Sequence, residues 1–550
     1  MTTKKTGTLV AHALKKEGVE YIFGIPGGHI YPTIHEAEKL GMKFISTRHE
    51  MTAAFAAEGW ALATGKMGVC TGTAGPGVTN LLTGMANAYM GKHPVMYLGG
   101  KARVTENDRN ELQDFDQISV IQNMTKHARA IFEPERVPEY VARATRHAMT
   151  GTQGPVYLEI PRDINDTLVE LEDVKFPENT WCQSRVRAED ADIQKAVEMI
   201  KEAKRPLIIA GSGIWWSQGQ EELKAFVEKS GIPFCTRNAA RGCISDKHDL
   251  YVSLGCNDPI TLGVVAQSDL IIILGTRPGY TFSRSAISDN QKMIRVDISP
   301  VEVVNQWDPD LAIVGDAKSV VEQLYEAVEP ASYPEWQQEI AQVKAAFAEG
   351  KKLMCPDPKA FPINPVAFFD AFVNEMDDDT IVVIDGGDIA TWATLMVPAY
   401  GPGQLLGSFE TSFGPLGQGM GYAIAAKLAH PDKKVLHITG DGTIGYTAME
   451  FDTCMRYGID ITTVVFNDNA WGMIKRNEAR KAPDETHFVG LDLREETHYE
   501  KIAEDLGGYG EFVTKIEDVG PAIRRALESG KPACVNVMID PSVEVMGAGC

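Results

Sequence analysis

Short apolar runs recur along this chain, and longer stretches with a helical period separate them. That alternation is the signature of parallel sheets with helices on both faces. The runs fall into three blocks. In the first, residues 1–169, strands are predicted at Tyr21–Gly24, Lys43–Ser46, Gly68–Thr73, Val95–Leu98 and Val156–Ile160. Two of them run into glycine-rich turns, Gly24-Ile25-Pro26-Gly27-Gly28 and Thr73-Ala74-Gly75-Pro76-Gly77. A polar stretch, Glu170 to Glu189, reads as a linker. The second block, residues 190–331, holds strands in Pro206–Gly213, Asp269–Thr276 and Met293–Pro300. A second linker, rich in Pro, Glu and Lys, is predicted from Ser332 to Pro362. The third block, residues 363–541, carries strands at Ile381–Ile384, Lys434–Thr439, Ile461–Phe466 and Ala533–Met538. The first and third blocks are alike in size and character. The expected fold is therefore α/β: three doubly wound parallel-sheet domains, two related layers flanking a central one.

Composition narrows the functional classes. A chain of 550 residues with 44% hydrophobic content can form about three ordinary domains. A formal charge of −22 argues against nucleic acid or an anionic membrane as partner. The amino terminus lacks the apolar core of a signal peptide and reads as an amphipathic helix. No apolar run reaches the roughly 18–20 residues that span a bilayer. The nine cysteines form no C-x-x-C pair, so neither a zinc site nor a disulfide framework is indicated. A reduced, cytoplasmic protein is expected.

Candidate chemistry concentrates in the third block. Gly440-Asp441-Gly442 leaves the strand Lys434–Thr439, and Asn467-Asp468-Asn469-Ala470-Trp471-Gly472 closes the strand Ile461–Phe466. Two oxygen-rich turns at the carboxyl ends of parallel strands can hold one divalent cation, and the glycines let backbone approach an anion. A hard cation in an oxygen shell suits Mg²⁺ clamping a diphosphate. In the first block, Arg48-His49-Glu50 precedes the apolar helix that starts at Met51; a carboxyl at a helix start is ordinarily a dipole partner worth about 0.3–1 kcal/mol. In the second, Gly211-Ser212-Gly213 is a weak nucleotide-loop signal without its third glycine.

Together these motifs resemble thiamine diphosphate (ThDP) enzymes, specifically the acetolactate synthase, benzaldehyde lyase and 2-hydroxyacyl-CoA lyase branch. The resemblance covers nearly the whole chain, including Thr73–Asn80 (TAGPGVTN) and Gly154–Asp163 (GPVYLEIPRD). It implies pyrimidine-binding, central and diphosphate-binding domains in that order, with ThDP and Mg²⁺ as cofactors. Asp441, Asp468 and the carbonyl of Ala470 become the metal ligands; Asp468 stands where the family usually has asparagine. Glu50 becomes the acid that shares a proton with the pyrimidine ring, its pKa raised in a mostly apolar cleft. Leu416, in Phe413-Gly414-Pro415-Leu416-Gly417, takes the place of the bulky residue under the bent cofactor. Gly28, Thr73, Gly77, Gly440, Gly442, Thr443, Trp471, Gly472 and Met473 complete the cofactor's surroundings. The family pairs its glutamate with a diphosphate on a neighbouring subunit, so at least a homodimer is implied, and a homotetramer is expected.

Within the branch, His29 resembles a histidine of benzaldehyde lyase, and Gln113, in ELQDFDQ, matches a glutamine that lines several of these sites. As a His–Gln pair they could deprotonate a substrate hydroxyl. The implied activity is a carbon–carbon lyase or carboligase on 2-hydroxy-ketones, aldehydes or 2-hydroxyacyl compounds, through an enamine intermediate. The alternatives are acetolactate synthase-like decarboxylation and ligation of 2-keto acids, 2-hydroxyacyl-CoA lysis, or a catalytically silent paralogue that binds ThDP. Gly275-Thr276-Arg277-Pro278-Gly279-Tyr280 departs from the segment near the flavin of acetolactate synthases, so FAD is not expected. The tail Asp540–Cys550 has no Lys or Arg to grip CoA phosphates. Lys475, Arg476, Arg480 and Lys481 form either a solvated helix face or an anion site.

Overall fold

The computed structural model describes residues 3–545, apart from residues 257, 278, 280, 281, 283–286, 408–410 and 496. Pro278 and Tyr280 of the middle-domain motif, and the end of the acidic tail, therefore lie outside the described residues.

The first sheet consists of β1 (Tyr21–Gly24), β2 (Lys43–Ser46), β3 (Gly68–Gly72), β4 (Val95–Lys101), β5 (His127–Ala130) and β6 (Val156–Pro161). Their spatial order is β2-β1-β3-β4-β6-β5, every pairing parallel. The central sheet contains β7 (Pro206–Ala210), β8 (Phe234–Thr236), β9 (Leu270–Leu274), β10 (Lys292–Asp297) and β11 (Leu311–Val314), ordered β8-β7-β9-β10-β11. The third is built from β12 (Ile381–Asp385), β13 (Leu405–Gly407), β14 (Val435–Gly440), β15 (Thr462–Asn467), β16 (Tyr509–Val513) and β17 (Ala533–Met538). Its order, β13-β12-β14-β15-β17-β16, repeats that of the first sheet strand for strand. The chain is α/β with three doubly wound parallel sheets. Interior strands such as β7 and β9 are buried at every position, which is why they read as unbroken apolar runs.

In each sheet the first and third strands lie side by side and their connections leave in opposite directions. A crevice opens there, at the carboxyl ends of the strands. The crevice of the first sheet receives the turns after β1 and β3. The central one receives Gly211–Gly213 and Gly275–Arg277, and the third receives Asp385–Asp388 and Gly440–Thr443. The paired glycine turns of the sequence thus all fall at switch points.

Helix α1 (Thr6–Lys16) is amphipathic as expected and packs on the first sheet. Helix α2 (Glu50–Thr64) is buried almost throughout, because it lies between domains. Its partner is α5 (Gly419–Ala429). A Cβ on Gly59 would sit 2.7 Å from Tyr422 Cα, and one on Gly421 would sit 2.8 Å from the Thr52 carbonyl oxygen. Glycine at both positions lets the two backbones approach. Beneath this contact lies a polar hub. Glu58 on α2 meets His93 Nδ1 at 2.7 Å and both its oxygens accept from Asn87 Nδ2 at 3.0 and 2.9 Å. Asn87 also reaches Tyr422 Oη (3.1 Å), and accepts from Thr411 Oγ1 (2.6 Å). The His93 ring lies 5.7 Å from that of Trp216, so the hub touches all three domains.

The second expected linker is a correction. Within Ser332–Pro362 the chain forms α3 (Pro334–Leu353), 20 residues long. Only Trp336 and Ile340 of this helix are buried, so its sequence has the polarity of a linker. Trp336 anchors it, donating from Nε1 to the Pro206 carbonyl at 3.0 Å. Trp336→Ala should cost about 3–5 kcal/mol, measured as a lowered unfolding transition; a loss under 1 kcal/mol would show that the helix is not anchored there.

Candidate functional site

At the crevice of the first sheet, the turn after β1 carries His29 inward. The ring Nδ1 lies 3.1 Å from Thr73 Oγ1, and the His29 carbonyl accepts from Asn165 Nδ2 at 2.7 Å. At 9% exposure His29 is not a solvent-facing turn residue. Burial, and secondarily the Arg162 guanidinium, hold its imidazole below the usual pKa, with Glu106 opposing. Gly100 has to be glycine, because a Cβ there would lie 2.3 Å from His29 Cβ. Gly28 borders open space, whereas a Cβ on Gly77 would strike Thr73 Cγ2 at 2.8 Å.

Glu50 opens α2 and is buried. His49 caps the helix, its Nδ1 accepting from the Met51 N–H at 3.0 Å. Glu50 Oε2 accepts from Asn80 Nδ2 at 2.9 Å. Asn80 ends the TAGPGVTN segment and holds one carboxyl oxygen in place. Gln113, in left-handed backbone with φ 63°, packs against Gly75: a Cβ on Gly75 would sit 3.1 Å from Gln113 Cβ. The second glutamine of ELQDFDQ does the holding. Gln117 is buried, its Oε1 accepts from the Gly75 N–H at 2.7 Å, and its Nε2 reaches the Gly100 carbonyl, Tyr157 Oη and Glu159 Oε2 at 2.9, 3.0 and 2.9 Å.

The crevice of the third sheet gathers the acids. Asp441 is buried after β14; its Oδ1 accepts from the Gly442 N–H at 2.8 Å and its Oδ2 from the Ala470 N–H at 3.2 Å. Burial, then the nearby Asp468 carboxylate, push Asp441 up to about 7. Burial likewise raises Asp468 and Asp388. Ala470 pairs with Asp492 in an antiparallel bridge flanked by Trp471 N–H to Leu491 O (2.9 Å) and Leu493 N–H to Asn469 O (2.8 Å). In such a pair the residue's own N–H and C=O face away from the partner strand, and the N–H here reaches Asp441 Oδ2. Two carboxylates close enough to interact, with the Ala470 backbone beside Asp441, offer hard oxygen donors of the kind that suits Mg²⁺ with sites left for diphosphate oxygens and water. Among the described residues no three His, Cys, Asp or Glu side chains are grouped to hold a metal by themselves.

The neighbouring residues shape the same hollow. A Cβ on Gly442 would meet the Trp471 ring at 2.7 Å. Met473 Sδ lies 3.3 Å from where a Gly387 Cβ would be. Thr443 is buried, Gly440 and Leu416 are half-buried. Beneath the Asp468 turn, Asn467 Oδ1 accepts from the Asn469 N–H (3.1 Å), Asn467 Nδ2 reaches Asn536 Oδ1 (3.1 Å), and Asn536 Nδ2 reaches Glu500 Oε2 (3.0 Å). Tyr499, next along, is pushed up to about 12 by burial and then by Asp441.

The predicted residues therefore assemble as two groups, His29, Glu50, Thr73 and Gln113 in the first domain, and Asp441, Asp468, Ala470 and Trp471 in the third. Among the described residues no hydrogen bond or ion pair joins these groups. The two domains are linked beside them by Glu450, which accepts from the Arg48 and His49 N–H groups. The basic residues of α6 (Gly472–Lys481) form no open anion site. Lys475 pairs with Asp492, Arg480 with Glu544 at 2.7 Å, Lys481 with Glu478 at 2.7 Å, and Arg476 with Asp388 and Asp468. Sequence reading misses Asn80, Gln117 and Asp388. A signal for Asp388 was present: Asp385-Gly386-Gly387-Asp388 is another glycine-bearing acidic turn after a strand. At the central switch point lies a cavity of about 1050 Å³, its walls including Ser212, Arg237, Arg277 and Asp297.

Two matched domains with switch-point clefts, one presenting a buried glutamate and the other a carboxylate pair, define an enzyme class that holds a diphosphate cofactor. Protein-family models agree. One described as thiamine pyrophosphate enzyme, N-terminal TPP binding domain, matches residues 4–120; the central domain matches 193–324 and the C-terminal TPP binding domain 385–537. The chain belongs to the thiamine pyrophosphate enzyme family, and thiamine diphosphate is its cofactor. It is 30% identical to a probable acetolactate synthase of Mycobacterium bovis, over 98% of this chain and 97% of that one. It is also 30% identical to 2-hydroxyacyl-CoA lyase 2 of Homo sapiens, over 97% and 90%. A probable acetolactate synthase large subunit of Methanocaldococcus jannaschii is 31% identical, over 98% and 92%. None of the described helices is long and apolar enough to cross a membrane.

Proposed function

We propose that the protein is a ThDP- and Mg²⁺-dependent carbon–carbon lyase or carboligase for 2-hydroxy-ketones, aldehydes or related 2-hydroxyacyl compounds, similar to benzaldehyde lyase. The observation that carries this reading is His29, buried at the first switch point and bonded to Thr73. Asp441, Asp468 and the Ala470 carbonyl would hold the cation and, through it, the diphosphate. Bound there, ThDP supplies a carbanion nucleophile and an electron sink. Glu50, its Oε2 fixed by Asn80, would hold the proton shared with the pyrimidine. His29 takes the proton of the substrate hydroxyl on a ring nitrogen while Thr73 orients the ring, and Gln113 hydrogen-bonds the carbonyl. Gly28, Gly77, Leu416, Gly440, Gly442, Thr443, Trp471, Gly472 and Met473 supply the surrounding surface.

We take the two groups of site residues to meet across a homodimer, further assembled to a tetramer. Exposed apolar side chains beside both groups support this: Leu112 (81%) and Phe115 (42%) flank Gln113, and Tyr446 (52%) and Met449 (51%) follow the Asp441 turn.

Decarboxylation and ligation of 2-keto acids is the second reading, favoured by the acetolactate synthase relatives. Engagement of Lys475, Arg476, Arg480 and Lys481 by carboxylates of this chain counts against a CoA grip on α6. If a nucleotide or CoA binds, the central cavity beside Ser212, Arg237 and Arg277 would receive it, and titration with ADP, FAD and CoA tests this. Mass spectrometry of thiamine adducts after exposure to benzoin, acetoin, pyruvate and a 2-hydroxyacyl-CoA separates the readings. Adducts from the hydroxy-ketones support lyase chemistry; adducts from pyruvate alone contradict it; cofactor binding without any adduct favours a silent paralogue.

His29 also sets a pH dependence. The neutral imidazole is the base, and it is populated above its pKa. Burial and Arg162 lower that pKa from 6.5, so the acid limb of kcat/KM should lie below pH 6.5. His29→Asn should remove that limb and lower kcat by about 10²-fold. A limb above 6.5, unchanged by the substitution, contradicts the role.

A further inference from the structure

Asp468 brings a second full charge to a crevice that already contains Asp441, and Asp388 at the start of α4 (Asp388–Met396) adds a third. All three are largely shielded from water, and buried like charges repel strongly. One cation of this chain stands among them. Arg476, on α6, lies with Nη2 2.6 Å from Asp388 Oδ2 and Nη1 3.3 Å from Asp468 Oδ2. Nη1 also donates to the Pro541 carbonyl at 2.8 Å. The side chains of Arg476, Asp388 and Asp468 are 12%, 16% and 7% exposed, so this is no surface ion pair. The arrangement depends on Gly472: a Cβ there would lie 2.1 Å from Asp468 Oδ2 and 2.7 Å from Arg476 Nη2. Glycine leaves the space in which the carboxylate and guanidinium meet.

We propose that Arg476 is a positioning residue and built-in counter-charge that allows an aspartate to serve as cation ligand at 468, holding Oδ2 and leaving Oδ1 for the metal. This rests on the cation site assigned above. A guanidinium suits the task because it stays charged and its fork reaches two carboxylates at once. Removing it leaves the Asp388 and Asp468 carboxylates repelling each other without a counter-charge, with Asp441 beside Asp468. Exchanging Asp468 for asparagine at the same time restores the net charge of the cluster.

The test is thermal unfolding of the full-length protein, metal-free and then titrated with MgCl₂ plus ThDP. Metal-free R476M should melt roughly 5 °C or more below wild type, and its rise on adding MgCl₂ and ThDP should exceed that of wild type, since the cation then supplies the missing charge. Arg476→Lys should lose less, and R476M/D468N should return toward wild type in the metal-free state. Were R476M too unstable to purify, recovery of soluble protein in the double variant would support the role and failure to recover it would overturn it. Metal-free melting and a cation-dependent rise like those of wild type, or no restoration by D468N, overturn the inference. A wild-type protein with no cation-dependent rise would overturn the cation site itself and this inference with it.

Discussion

Glu50→Gln should lower kcat by about three orders of magnitude, within the range that a positioned proton-transfer group contributes. Gln keeps the size and an acceptor for Asn80 Nδ2, now 2.9 Å from Glu50 Oε2, but cannot exchange the proton. The melting temperature should therefore stay close to wild type and ThDP affinity should change less than tenfold. The pair of measurements, steady-state kcat and cofactor affinity by titration, separates lost chemistry from lost binding. Retention of activity within tenfold would remove Glu50 from the mechanism.

The second large effect concerns stability. Glu58 and His93 are wholly buried, 2.7 Å apart, in the hub that also holds Asn87, Tyr422 and Thr411. Among the described residues, His93→Leu would leave the Glu58 carboxyl with Asn87 as its hydrogen-bond partner. Removing one member of such a buried pair costs about 3–5 kcal/mol, since the remaining polar group stays desolvated. Calorimetric unfolding of the variant should show a clearly lowered first transition. Glu58→Gln/His93→Leu should recover part of the loss, because a neutral amide is less costly to bury. A loss below about 1 kcal/mol would mean that water reaches the hub.

The sequence shows the interior strands plainly and the margins poorly. β7 and β9 are apolar on both faces and legible as unbroken runs, and β3 and β17 are fully buried with one polar residue each, Thr71 and Asn536. His127–Ala130 and Tyr509–Val513 escape notice because each lies at a sheet edge with part of its length exposed. Phe234–Thr236 and Leu405–Gly407 are buried edge strands of only three residues, too short for a periodic signal. Helix α3 was hidden by polarity: it buries two residues and leaves the rest half-buried or exposed.

The site divides in the same way. Asp441, Asp468 and Ala470 stand out as candidates because their turns follow apolar strands directly. Arg476 does not, because its partners Asp388 and Asp468 come together only when β12 and β15 enter one sheet. On the helix alone it belongs with the basic face of Lys475, Arg480 and Lys481. Gln117 likewise gains its role from Gly75, Gly100 and Glu159, which three separate strands deliver.

The central claim is that Glu50 of the first domain and the Asp441–Asp468 pair of the third serve opposite ends of one cofactor. A crystal structure of the protein with ThDP and Mg²⁺ tests it most directly. The account predicts the cation on Asp441, Asp468 and the Ala470 carbonyl, and the pyrimidine within hydrogen-bond distance of a Glu50 carboxyl from a second copy. A diphosphate seated elsewhere, or a Glu50 turned away from the ring, would contradict it.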